Sequence, residues 1–223
     1  MHGPMRLRHD NLTPPTRTPW GGRRLLERYK AGLAFETAPG VVGESWEVSV
    51  EPDFPSRDAA TGRSLSAVLA ADPVGWLGPE VAARFGGSTP LLVKLLDASD
   101  ELSVQVHPAD DDPALGPEES GKPEAWLVLD ADPGAGLYLG FRDGVTQAAV
   151  AACLRDGGAL DELLEFVPVH PGEVFRIDAG TPHAIGRGLT LVEPQFVRPG
   201  CHGVTYRYWD WNRRYDAGGG RDP

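Results

Sequence analysis

The sequence predicts a mainly β fold, one jelly-roll barrel with two small helical insertions. Three observations carry this. Short apolar or alternating segments recur from Ser45 to Trp211. The 28 Gly and 21 Pro are spread along the 223 residues rather than clustered, as tight turns between many short strands require. Helical spacing of apolar residues occurs in two places only, near residues 64–77 and 146–166.

Residues 1–19 read as a flexible lead-in, with no apolar run of the kind a signal peptide needs. Trp20-Gly21-Gly22 is turn chemistry with an aromatic anchor. Ser45–Val50 (S-W-E-V-S-V) alternates and predicts a strand. Ser64 is placed to cap a helix carrying Leu65, Val68 and Leu69. Pro90–Leu96 is a dense apolar strand around Lys94, read as a lysine snorkelling at a strand end. Leu102–His107 alternates, and Ala125–Leu129 and Gly136–Leu139 are apolar strands. Thr146 opens a helix through Leu154, with a further helical turn over Leu160–Phe166. Glu173–Ile177 is a strand leading into the turn Asp178–Pro182, and Leu189–Gln195 and Val204–Trp211 are the last strands. No repeat, low-complexity tract or long linker interrupts this order, so residues 1–223 are expected to form a single domain.

Composition narrows the function. Apolar residues make up 41% and the net charge is −11. Such a surface repels nucleic acid and anionic membrane, and neither is an expected partner. A phosphorylated small molecule is repelled as well, unless the pocket gathers its own cations. Lys122 and Arg207 are the first candidates, Lys94 and Arg198 weaker ones. Cys153 and Cys201 form no C-x-x-C, and a reducing cytoplasm is the simplest setting. No apolar stretch approaches a membrane span, so the protein is read as soluble and intracellular.

One constellation carries chemistry. Gln105 and His107 are two apart on a strand and share a face. Glu124 follows in G-K-P-E-A-W, and His183 closes the turn D-A-G-T-P-H. Taken singly, each is an ordinary strand or turn residue. Together, two imidazoles, a carboxylate and an amide oxygen can surround one divalent cation, and imidazole suits zinc, iron, nickel or manganese. A small barrel points such ligands inward from different strands.

The set fits the arrangement of a cupin, a jelly-roll barrel also described as a double-stranded β-helix. L-S-V-Q-V-H-P at Leu102–Pro108, G-K-P-E-A-W at Gly121–Trp126 and H-P-G-E-V-F-R-I-D-A-G-T-P-H-A-I-G at His170–Gly186 resemble the three ligand segments of the type I mannose-6-phosphate isomerases. W-G-G at Trp20, G-E-S-W-E-V-S from Gly43 and Y-R-Y-W-D-W-N-R at Tyr206–Arg213 are similar to further landmarks of that family. The match runs in order from about Trp20 to Arg213. It implies zinc as the cofactor, with Gln105, His107, Glu124 and His183 as its ligands. It implies Lys122, Ser103 and Arg207 at the sugar, and Glu193 as an acidic residue of the same pocket. The sequence is read as a short form without the further C-terminal β-domain of family members. It departs from the family at Phe196–Gly203, F-V-R-P-G-C-H-G, where a short Ser/Asp stretch is usual. Pro199-Gly200 predicts a turn there, with its tip at the cavity mouth and Arg198 or His202 available for substrate.

The implied reaction is the interconversion of mannose 6-phosphate and fructose 6-phosphate, by proton transfer between C1 and C2 through an enediolate. Arg207, Lys122 and Glu193 are the catalytic candidates, with Lys122 or Glu193 carrying the proton. The alternatives are an iron-dependent cupin dioxygenase, for which Gln105 in place of a third histidine is unfavourable, and a non-catalytic sugar- or metal-binding cupin.

Overall fold

The computed structural model describes residues 2–35 and 40–214. Its elements are β1 (Glu44–Val48), α1 (Leu65–Ala71), α2 (Pro73–Arg84), β2 (Leu91–Ala98), β3 (Val104–Val106), β4 (Glu119–Ser120), β5 (Glu124–Ala131) and β6 (Gly136–Phe141). There follow α3 (Gln147–Arg155), β7 (Leu164–Pro168), β8 (Val174–Ile177), β9 (His183–Ile185), β10 (Leu189–Phe196), β11 (His202–Gly203) and β12 (Tyr206–Trp209). Two five-stranded sheets run β1-β2-β10-β5-β8 and β12-β3-β9-β6-β7, and β11 pairs with β4 in a parallel two-stranded ribbon. Every pairing within the two large sheets is antiparallel. This is the jelly-roll barrel of the cupins.

The sheets face each other across one core. Leu96, Trp126, Val128, Ile177, Leu189 and Leu191 of the first sheet pack with Leu137 and Ile185 of the second. The alternation of β5 and β10 is visible in their burial, with Glu124, Trp126 and Val128 inward on one and Leu191, Glu193 and Gln195 inward on the other. One end of this inner face is therefore apolar and the other polar, and the polar end holds the candidate site.

Beyond the second sheet lies a smaller cluster. Val104, Leu160, Leu164, Ala184 and Trp209 pack there with Val150, Cys153 and Leu154 of α3. Thr146 caps α3 by accepting from the Ala149 amide, and Ser64 caps α1 by accepting from Ala67.

Four local expectations are corrected. The lead-in is not loose: Thr13 and Thr18 are buried, their hydroxyls lie 2.8 Å apart, and the Thr13 amide donates to the Glu44 carbonyl. Threonine hydroxyls satisfying the edge of β1 look hydrophilic in sequence and are structural in three dimensions. The second helical turn ends early, as a 3₁₀ turn over Leu160–Leu163, and Leu164–Pro168 is strand β7. The first insertion runs on to Arg84, because a kink at Gly78, with φ +76°, lets Pro79 start a new helical turn. Lys94 does not snorkel: it sits mid-strand in β2 and is 8% exposed.

Candidate metal centre

β3 and β9 place the histidines. Gln105 lies opposite His183 in the β3–β9 ladder, and His107 follows the end of β3, two residues past Gln105, so all three share the inner face. Glu124 opens β5 on the facing sheet. The three ligating candidates are buried, with 2% exposure for His107, 3% for His183 and 5% for Glu124. One donor atom from each lies within 4.8 Å of the others.

The tautomers follow from the hydrogen bonds. His107 Nδ1 lies 3.1 Å from the Val204 carbonyl and His183 Nδ1 lies 2.8 Å from the Thr181 carbonyl, so each Nδ1 is the donor. Each Nε2 then carries a lone pair, and both face the same carboxylate. His107 Nε2 is 3.4 Å from Glu124 Oε2, and His183 Nε2 is 3.4 Å from Glu124 Oε1. His107 Nε2 is buried and makes no hydrogen bond. Electron-rich atoms brought together this way repel one another unless a cation lies between them. The spacing suits one: zinc bonds of about 2.0–2.1 Å in tetrahedral geometry put ligand atoms about 3.4 Å apart. The residues present therefore fit a divalent metal. Burial also keeps both imidazoles in the neutral, coordinating form, with His183 lowered to about 4 and His107 shifted the same way. Burial pushes Glu124 towards protonation, but the Lys122 ammonium beside it outweighs this and holds the carboxylate ionised.

Gln105 donates from Nε2 to Ser103 Oγ at 3.3 Å, which leaves its amide oxygen as the free acceptor. Arg207 lies opposite Gln105 on β12, extending the row His183–Gln105–Arg207 across three strands. Lys122 Nζ is 3.5 Å from Glu124 Oε2, and its stem packs beside Gly203, where a Cβ would meet Lys122 carbons at 3.0 Å. Burial pulls the Lys122 ammonium below the usual lysine value, against the opposing pull of Glu124.

A cavity of about 1010 Å³ opens beside the cluster, lined by Gln105, Lys122, Arg207 and Ser103 among others, with His107, Glu124 and His183 themselves behind its wall. Lys94, His202 and Arg17 line it too. Arg198 does not: it lies 3.0 Å from Asp110 and donates to the Glu119 carbonyl. Of the Phe196–Gly203 loop, Val197, His202 and Gly203 reach the cavity while the turn at Pro199-Gly200 points elsewhere. Glu193 is not a lining residue. Its carboxylate accepts from Trp126 Nε1 at 3.1 Å and lies 3.4 Å from Lys94 Nζ. Burial and nearby Glu124 raise its pKa against the pull of Lys94. Burial disfavours the Lys94 ammonium, but Glu44, Glu193 and Glu124 overcome this and keep it charged.

Two contacts of this region were not singled out by motif. Gln195 donates to Glu124 Oε2 at 2.8 Å, and Glu44 Oε2 lies 3.9 Å from Lys94 Nζ. Gln195 was findable, because it is two residues from Glu193 and so shares its face. A donor that fixes a ligating carboxylate tunes metal affinity. Gln195→Leu is expected to weaken zinc binding about 10- to 100-fold by calorimetric titration. An affinity within twofold of the parent would mean that Glu124 is held by Lys122 alone.

Comparison with known proteins gives consistent names. Residues 18–131 match the family model described as phosphomannose isomerase type I, catalytic domain. The chain is 37% identical over 209 residues to a mannose-6-phosphate isomerase of Streptococcus mutans, covering 89% of this chain and 59% of that protein. It thus spans less than two thirds of that relative's length. Its fold is similar to the crystal structure of the mannose 6-phosphate isomerase from Bacillus subtilis, with a TM-score of 0.70 and 26% identity, over 99% of this chain and 64% of the other. A zinc-bound mannose 6-phosphate isomerase shares the fold at a TM-score of 0.61 and 19% identity, over 92% of this chain and 69% of the other.

Proposed function

The chain belongs to the type I phosphomannose isomerase family, whose catalytic-domain model covers residues 18–131, and we propose from this that it interconverts mannose 6-phosphate and fructose 6-phosphate. One observation carries the reading to the site. A chain of net charge −11 places Lys94, Lys122 and Arg207 around a cavity beside a buried His-Glu-His cluster. The lining balances five Lys and Arg against five Asp and Glu, so the cavity is near neutral where the molecule as a whole repels anions.

In this reading Gln105, His107, Glu124 and His183 hold one zinc ion, the metal of the zinc-bound isomerase of like fold. A bound divalent ion supplies Lewis-acid stabilisation of the charge that grows on the sugar oxygens. The chain's own residues do the rest. Lys122 lines the cavity beside Glu124 and has its ammonium depressed, so it is the group to take a proton from one carbon and return it to the other. Arg207 stands opposite Gln105 and offers a guanidinium with no ion pair among the described residues to the oxyanion that forms at C1 or C2. Ser103 orients Gln105 and borders the same space. Glu193, beneath the cavity, keeps Lys94 charged and thereby sets the potential of the floor.

Residues 1–223 act as a single cupin-type isomerase domain in this reading. The free thiols Cys153 and Cys201 suit a reducing cytoplasm, and no helix among the described residues is long and apolar enough to cross a membrane. The test is a coupled assay of the zinc-loaded chain with mannose 6-phosphate, alongside metal analysis. Formation of fructose 6-phosphate at one zinc per chain supports the proposal. Stoichiometric zinc with no turnover of any hexose phosphate would leave a binding module.

A further inference from the structure

Five Lys and Arg side chains line the cavity among the described residues: Arg17, Lys94, Lys122, Arg207 and Arg213. Three of them are already committed. Lys94 is held by Glu44 and Glu193, and Lys122 lies against Glu124. Arg213 is held by Asp100, Glu101 and Asp210. Arg207 and Arg17 alone keep guanidinium groups without an ion pair or hydrogen bond to described residues, and they stand on different walls. Arg207 belongs to the row that ends at His183. Arg17 lies on the strap that runs antiparallel beside β1, with its guanidinium over the rings of Trp46 and Phe54 at 4.9 and 5.3 Å from their centroids.

That wall is the far one. Trp46 is on β1, and β1 is separated from β5 and Glu124 by β2 and β10, three strand spacings or up to about 14 Å along the sheet. A hexose 6-phosphate that presents C1 and C2 to the metal cluster carries its phosphate at the opposite end of the carbon chain. The phosphate must then find a cation away from the cluster, and Arg17 is the uncommitted one. Lodged against the two nearly perpendicular rings, the guanidinium is held in place by cation–π attraction, so less rotamer freedom is lost on binding. The same wall carries Glu51 and Asp53. Without Arg17 it would present carboxylates to a dianion.

We propose that Arg17 is the phosphate-binding residue of this cavity, acting on phosphorylated sugars through paired N–H contacts to the phosphate oxygens. This rests on the phosphosugar reading above.

The experiment uses the zinc-loaded full chain, its Arg17→Ala and Arg17→Lys variants, and two readouts. In steady-state kinetics, Arg17→Ala should raise KM for mannose 6-phosphate about 10-fold or more, with the loss falling on KM rather than kcat, and should weaken competitive inhibition by inorganic phosphate in parallel. Arg17→Lys should recover only part, because a point charge replaces a fork of paired N–H groups. In equilibrium titrations followed by tryptophan fluorescence, with Trp46 beneath the guanidinium as reporter, inorganic phosphate and fructose 6-phosphate should bind the parent more tightly than Arg17→Ala. Fructose should not distinguish the two. Equal KM and equal phosphate affinity in parent and Arg17→Ala would overturn the proposal. If the parent turns over no hexose phosphate, the isomerase reading fails, and the titration still decides whether Arg17 binds phosphate. A far-UV spectrum and melting curve of Arg17→Ala matching the parent keep either result from being a folding effect.

Discussion

Replacing His107 by alanine is expected to remove bound zinc and turnover together. His107 supplies a buried Nε2 that makes no hydrogen bond and faces Glu124 at 3.4 Å, while its Nδ1 is fixed by the Val204 carbonyl. Among the described residues the cluster has no further histidine, cysteine or carboxylate placed to take its position. Lewis-acid stabilisation is worth several kcal/mol, so turnover should fall at least about 1000-fold. Zinc content by elemental analysis should drop from about one per chain to near zero. A third reading does not depend on catalysis. Zinc should raise the melting temperature of the parent, since a ligand that binds only the folded state stabilises it by about 2.7 kcal/mol at a hundred times its Kd. The variant should show no such shift. Full zinc occupancy in His107→Ala would refute the ligand assignment.

The second large effect is on stability. Lys94 is paired with Glu193 at 3.4 Å and Glu44 at 3.9 Å, and its ammonium lies 4.7 Å from the centroid of the Trp46 ring. The side chains of the Lys94–Glu193 pair are only 10% and 6% exposed. Solvent therefore screens this pair little. Lys94→Met is expected to cost about 3–5 kcal/mol, because it strands two carboxylates in a buried site rather than because the pair is strong in itself. Urea unfolding measures this directly. Adding Glu193→Gln should recover part of the loss, since a glutamine can still accept from Trp126 Nε1 and carries no charge to strand. A loss under about 1 kcal/mol for Lys94→Met would show that water reaches the pair.

Much of the fold was legible because period-two alternation survives wherever a strand has one polar face. Ser45–Val50 and Leu102–His107 alternate in sequence, and β1 and β3 lie there. The metal cluster was legible for the same reason. Gln105 and His107 share a strand face by spacing, and Glu124 and His183 sit in segments whose resemblance to a known ligand set is local and ordered. Elements covered on both faces were harder to read. In β6, Leu137 packs into the main core and Tyr138 into the cluster under α3, so both sides are apolar and no alternation marks the strand's extent. Leu164–Pro168 was lost in the same way, with Leu164 buried beneath α3.

The sequence by itself determined the barrel class, the order of its main strands and the two helical insertions, since each rests on spacing along one segment, and it offered the four candidate ligands through an ordered resemblance spread over several segments. Only the tertiary structure decided which cations are free. Lys94 looks like a surface lysine until Glu44, Glu193 and Trp46, each on another strand, are seen to surround it. Arg198 looks available until Asp110 claims it, and Arg17 looks like part of a loose leader until the strap lays it on Trp46 and Phe54. The physical reason is common to all three. A charge is spent or available according to its partners across space, and partners far apart in the chain are fixed by strand register and packing, which no local pattern encodes.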